Sequence, residues 1–211
     1  MIMKMKMLHS LTGRLSCIVV LVVLAHTSPA MGQSPEIGSV LPQSTESFTT
    51  TTGGDVVLAD LTGSVGTVFV FWAHSCPWID RYEERLAAIE REFSSQGIAF
   101  VLVNSNDPIA FPEDSIESLV SQAQENDYRY SYIVDPTGQF ARGVHAKRTP
   151  EVFVYDDENL LVYAGAIDDS PAIANSVVNS HLKIVLQALV DGTEIETPLT
   201  NAIGCTIKFA P

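Results

Sequence analysis

Residues 68–85 constrain this chain most. A run of apolar β-forming residues ends at Trp72, and a helical pattern follows Cys76. Ile79, Tyr82, Leu86, Ile89 and Phe93 recur at steps of three and four, which places them on one helical face. Pro77 suits the first helical position, where a missing N–H costs nothing. The pattern therefore predicts Cys76 at the N-cap. There, unpaired N–H groups and the positive end of the helix dipole favour thiolate over thiol. Such a cysteine is a candidate redox nucleophile. The plainer reading is a small buried hydrophobe.

Strands and helices alternate around this turn. Residues 48–52 and 56–61 read as a hairpin about Gly53-Gly54. Residues 67–72, apolar from Val68 onward, and 98–104, apolar as far as Val103, read as strands buried on both faces, and the helix between them implies a parallel pair. Gly97 stands where that helix should stop. Residues 113–125 read as an inserted helix with Ile116, Leu119, Val120 and Ala123 on one side. A strand follows at 130–134, then a short helix at 140–144 and a hairpin at 152–155 and 160–165. The last helix is expected over 175–190, with Val178, Leu182, Val185, Leu186 and Leu189 inward and Gly192 at its end.

The N-terminus reads as a signal peptide over residues 1–32. Lys4, Lys6 and Arg14 make a basic leader, and residues 15–25 form an apolar run too short to span a bilayer. Small residues at Ser28-Pro-Ala30-Met-Gly32 suit cleavage; an uncleaved anchor is the alternative. Export to the periplasm or full secretion is the expectation, with no membrane association after cleavage. Removing three basic residues and no acidic ones takes the net charge from −13 to −16. So acidic a chain is repelled by nucleic acid and by anionic membranes. Cys17 leaves with the leader, and Cys76 and Cys205 remain. In an oxidising compartment that pair can form a disulfide, or one thiol can work while the other resolves it.

The element order, with a cysteine on the first central strand-to-helix turn, resembles the thioredoxin-like superfamily. Arg148-Thr149-Pro150 before a hydrophobic strand adds to the likeness, because in that superfamily this proline is cis and faces the cysteine. The segments 74–82, 165–169 and 204–207 look like the redoxin or peroxiredoxin-like branch, related to the alkyl hydroperoxide reductase/thiol-specific antioxidant family. The resemblance implies an α/β thioredoxin-like fold: a central mixed sheet flanked by helices, with an N-terminal hairpin and an inserted helix. It divides the chain into signal peptide 1–32, surface lead-in 33–47, redoxin domain 48–192 and a C-terminal tail 193–211 carrying Cys205.

It also implies a thiol-dependent oxidoreductase without a cofactor, acting on a peroxide or a protein disulfide and drawing on an external thiol reductant. Cys76 is the implied nucleophile, with Arg148, Thr149 and Pro150 beside it and Cys205 as a possible resolving thiol. Trp72, His74, Ser75 and Pro77 are expected at the lip of the site. One departure stands out: Ala73 replaces the cysteine or threonine usual in these families. A disulfide within the turn is thereby impossible, and so is a peroxide contact from a hydroxyl at that position. Two rival readings follow. One is a copper-binding module drawing on His74, Cys76, His145 and Cys205, which requires the tail to bring Cys205 to Cys76. The other is a binding protein that has lost catalysis.

Overall fold

The computed structural model describes residues 34–211. Strands β1 (Ser47–Thr50) and β2 (Asp55–Val57) form the N-terminal hairpin, and a 3-10 turn over Leu58–Leu61 takes the place of the expected second half of β2. There follow β3 (Gly66–Phe71), α1 (Ile79–Phe93), β4 (Ile98–Asn104), α2 (Ile116–Glu125), β5 (Ser131–Val134) and α3 (Gln139–Gly143). The chain ends with β6 (Arg148–Thr149), β7 (Glu151–Asp156), β8 (Leu161–Gly165), α4 (His181–Asp191) and β9 (Cys205–Thr206). Seven strands make one mixed sheet in the order β2-β1-β5-β4-β3-β7-β8, and β6 and β9 make a two-stranded ribbon. The fold is the expected α/β sandwich, with β3 and β4 parallel across α1.

β3 lies inside the sheet between β4 and β7 and is buried at every position. Its side chains alternate, as strand geometry requires. Val68, Val70 and Trp72 enter one core with Ile79, Tyr82 and Leu86 of α1 and Leu182, Val185 and Leu186 of α4. Phe69 and Phe71 enter the other, against Phe140 of α3. Both faces are thus sealed by helices, and the strand ends where the site begins.

Three helices start two or more residues later than expected. Helix α1 starts at Ile79, so Trp78, not Cys76, precedes it. Cys76 and Pro77 lie instead in tight turns: the N–H of Cys76 donates to Ala73 O at 3.1 Å, and that of Ile79 to Cys76 O at 3.0 Å. Helix α2 starts at Ile116, after a 3-10 turn over Pro112–Asp114, and Ser115 caps it by accepting from the N–H of Ser118. The last helix starts at His181, and Val178, expected inward, is 84% exposed. The carboxylate of Asp169 accepts from the N–H groups of Val178 and Asn179 at 3.0 and 2.9 Å. Those bonds hold the segment in a loop until Ser180.

The lead-in runs along the outside of β8, where the N–H of Leu41 donates to Asn159 O and Leu41 itself is buried. No helix among the described residues is long and apolar enough to cross a membrane. The expected signal peptide lies outside the described residues.

Candidate active site

After β3 the N–H of Trp72 still bonds Val103 O of β4 at 2.8 Å, and the chain then leaves the sheet at Ala73. Cys76 follows and is 2% exposed. Its Sγ–H donates to Thr149 O at 3.1 Å. The Thr149-Pro150 peptide is cis, as the resemblance implies. The sulfur's polar neighbour is therefore a backbone carbonyl on β6, and the start of α1 is three residues further along the chain.

β6 carries the second thiol to the first. It pairs antiparallel with β9, and Thr149 stands opposite Cys205. Cys205 packs against the core that contains Cys76. Burial and the adjacent Cys76 sulfur push the Cys205 thiol up to about 11, while Lys208 and Arg148 pull it the other way. Close approach of the tail depends on Gly204, because a Cβ there would stand 2.2 Å from Thr149 O. Several contacts anchor the tail beyond Cys205. Arg148 Nη1 donates to Thr206 Oγ1 at 2.9 Å, and the N–H of Ile207 to Lys147 O at 3.1 Å. Ile207 is buried in the second core, and the Arg142 guanidinium lies 4.2 Å from the centroid of the Phe209 ring.

The other expected site residues divide. His74 and Pro77 are exposed and Ser75 is half-buried, so all three border the turn. Trp72 is 1% exposed and belongs to the core beneath the turn instead of its lip. Thr149 lends its carbonyl to Cys76, and its Oγ1 is buried without a partner. Arg148 is exposed, with its guanidinium turned along β9. Among the described residues, no group of three or more His, Cys, Asp and Glu side chains is arranged to hold a metal ion. The ligand set His74, Cys76, His145 and Cys205 thus reduces to its two thiols.

A polar cluster that sequence reasoning did not identify sits behind the turn. Asp114 is 2% exposed. Its Oδ2 accepts from Ser75 Oγ at 2.6 Å and from Asn106 Nδ2 at 2.8 Å. Its Oδ1 accepts from Asn104 Nδ2 at 2.9 Å and from the N–H of Ser75 at 3.4 Å. The available signal was the polar run Asn104-Ser-Asn-Asp107 directly after a fully apolar strand, since buried polar groups there need partners.

The AhpC/TSA family matches residues 37–164. This chain belongs to that family. A hypothetical protein from Sinorhizobium meliloti 1021 is 30% identical with a TM-score of 0.77, over 84% of this chain and 97% of that one. Peroxidoxin BcpB from Mycobacterium tuberculosis shares the fold at 16% identity and a TM-score of 0.55, covering 74% of this chain and 97% of its own. So does a secreted Mycobacterium tuberculosis disulfide oxidoreductase homologous to Escherichia coli DsbE, at 14% identity and a TM-score of 0.52, covering 71% and 97%. No curated protein matches the chain. Of the proteins that share the fold, one is thus named for peroxide chemistry and another for disulfide chemistry.

Proposed function

We propose that this protein is an exported thiol oxidoreductase in which Cys76 attacks the oxidant and Cys205 resolves it. The pairing of Thr149 with Cys205, which sets the second thiol against the first, carries the reading. Cys76 gives up its proton and attacks a peroxide oxygen, the O–O bond breaks, the departing alkoxide or hydroxide takes up a proton and leaves as alcohol or water, and a sulfenic acid remains. The Cys205 thiol then attacks the Cys76 sulfur. An S–S bond forms, and the hydroxyl departs with the Cys205 proton as water. With a disulfide as oxidant, the same two attacks pass through a mixed disulfide. An external thiol returns the pair to its reduced form.

Ala73 leaves the turn without a second cysteine, so the only protein thiol near Cys76 among the described residues is Cys205. β9 already occupies the backbone edge of β6 beside Cys76, where an extended peptide would add as a strand. That favours a small oxidant over a protein disulfide.

The test is to treat the reduced mature protein with one equivalent of hydrogen peroxide and map its thiols by mass. Loss of both thiols with a Cys76–Cys205 cross-link is expected, and Cys205→Ser should accumulate a trappable sulfenic acid at Cys76. Two thiols that survive the oxidant, and then survive a small disulfide, would remove the catalytic reading. The mature N-terminus, sequenced after fractionation, tests export. The same two sulfurs also support a second reading, since paired soft thiolates suit Cu(I). Copper retained at one equivalent against a mild chelator, with no turnover, would favour it.

A further inference from the structure

The two sulfurs are joined by more than the β6–β9 ribbon. Behind the turn, Ser75 is bound to the Asp114 carboxylate, and the same carboxylate binds Asn106. Asn106 faces two ways. Its Nδ2 donates to Asp114, and its Oδ1 accepts from the N–H of Lys208 at 2.7 Å. Its backbone N–H is itself held by Asn104 Oδ1 at 3.1 Å, so the side chain is fixed at its base. One residue on, the N–H of Asp107 donates to Lys208 O at 2.6 Å. A continuous chain of hydrogen bonds therefore runs from Ser75, one residue before the nucleophile, to Lys208, three residues after Cys205. Asn104, Asn106, Asp107 and Asp114 are all buried.

We propose that Asn106 and Asp114 are positioning residues for the resolving step, holding the Cys76 turn and the Cys205 strand in one register while Cys76 is oxidised. The inference rests on Cys205 being the resolving thiol. It adds the reason why that thiol stays in place. When Cys76 gains an oxygen or a substrate sulfur, its S–H···O bond to Thr149 is lost, and the ribbon loses one of its ties to the turn. The Asp114–Asn106 link does not involve the sulfur and persists through the change. Neither residue hydrogen-bonds the Cys76 sulfur, whose partner is Thr149 O. The first attack should therefore depend on them less than the second, which is an intramolecular reaction sensitive to geometry.

The experiment compares the two steps in the full mature chain. Cys76 oxidation by hydrogen peroxide and Cys76–Cys205 bond formation are followed separately by rapid quench, alkylation and mass analysis. In Asn106→Ala the second step should slow by about tenfold to a hundredfold relative to the first, within the range that misplacement of reacting groups produces. Cys76 should then accumulate sulfenic and sulfinic acid. An added small thiol, standing in for Cys205, should restore resolution. Ser75→Ala removes the other end of the link with less disturbance of the interior, and should give a smaller shift in the same direction. If wild-type protein forms no Cys76–Cys205 bond, the resolving role of Cys205 fails. If wild type forms it and both variants keep the wild-type ratio of the two rates, only the positioning role fails.

Discussion

Replacing Gly204 with alanine tests the contact that lays the tail on β6. A Cβ at this position would stand 2.2 Å from Thr149 O, 2.7 Å from its carbonyl carbon and 3.1 Å from Pro150 N. All three are backbone atoms. Their strand is pinned on one side by the Cys76 hydrogen bond and on the other by Glu151, whose Oε2 accepts from the N–H groups of Lys147 and Arg148. The strand cannot rotate out of the way as a side chain would. Ordinary carbon contacts begin near 3.5 Å, so β9 has to lift by roughly 1 Å. Gly204 is not among the glycines of positive φ, so the effect comes from contact and not from backbone strain. Overpacking of this kind costs about 1–3 kcal/mol. A displacement of this size slows a reaction between positioned groups by on the order of 100-fold. Gly204→Ala should therefore remain folded, oxidise at Cys76, and form the Cys76–Cys205 bond far more slowly than wild type. Quenched alkylation after one equivalent of peroxide reads the bond, and a thermal melt reads the fold. A variant that closes the disulfide at the wild-type rate with unchanged Tm would refute the close approach.

Three further outcomes are expected. Because the Cys205 thiol is held up to about 11, its alkylation should stay slow until strongly alkaline pH, and Cys76→Ser should lower its titration by removing the neighbouring sulfur. The unfolded chain ionises near the ordinary thiol value of about 8.5. Stability from this group is therefore complete below that pH and is lost as pH rises towards about 11, which denaturant midpoints across that range would show. Elsewhere, Arg85 Nη1 meets Asp168 Oδ2 at 2.5 Å with side chains only 15% and 3% exposed. Asp168→Ala removes the carboxylate, but the guanidinium keeps its bonds to the carbonyls of Arg81, Ser170 and Pro171, so the loss should be about 1–3 kcal/mol, or roughly 5 °C in Tm. A single-variant loss within experimental error of zero would show that solvent reaches the pair.

The central sheet was legible because β3 and β4 are buried on both faces and write that burial as unbroken apolar runs. The α1 face was legible because Ile79, Tyr82, Leu86, Ile89 and Phe93 all point inward, and all are buried. What failed was local. A proline after a cysteine fits a first helical turn and a preceding tight turn equally well, and here the chain takes the latter. Val178 kept the helical spacing, but Asp169 captured the N–H groups of Val178 and Asn179 from outside the segment. The site was half legible. Cys76 and the Thr-Pro came from sequence, but the Ser75–Asp114 contact joins residues 39 apart and leaves no periodic trace. The placement of Cys205 is likewise a matter of strand pairing at long range.

That long-range placement shapes the chemistry as well as the geometry. A thiol pair within one turn closes a tiny loop, so its disulfide does little to the unfolded chain. A bond from Cys76 to Cys205 closes a loop spanning most of the folded domain. In the chain-entropy account a loop of that size restricts the unfolded state by on the order of 4–5 kcal/mol. The tail is already ordered in the reduced protein by Ile207, Lys208 and the β6 ribbon, so little further order is lost on oxidation. Linkage then requires that whatever the bond adds to the folded state also makes it harder to reduce, at about 30 mV for each 1.4 kcal/mol. In the proposed cycle the external thiol has that difference to overcome at each turn. Ala73 therefore does more than delete a partner from the turn. In the proposed cycle it leaves a disulfide whose reducibility is set by how tightly the tail is docked, and the Gly204 contact and the Asn106 link are where that docking would be decided.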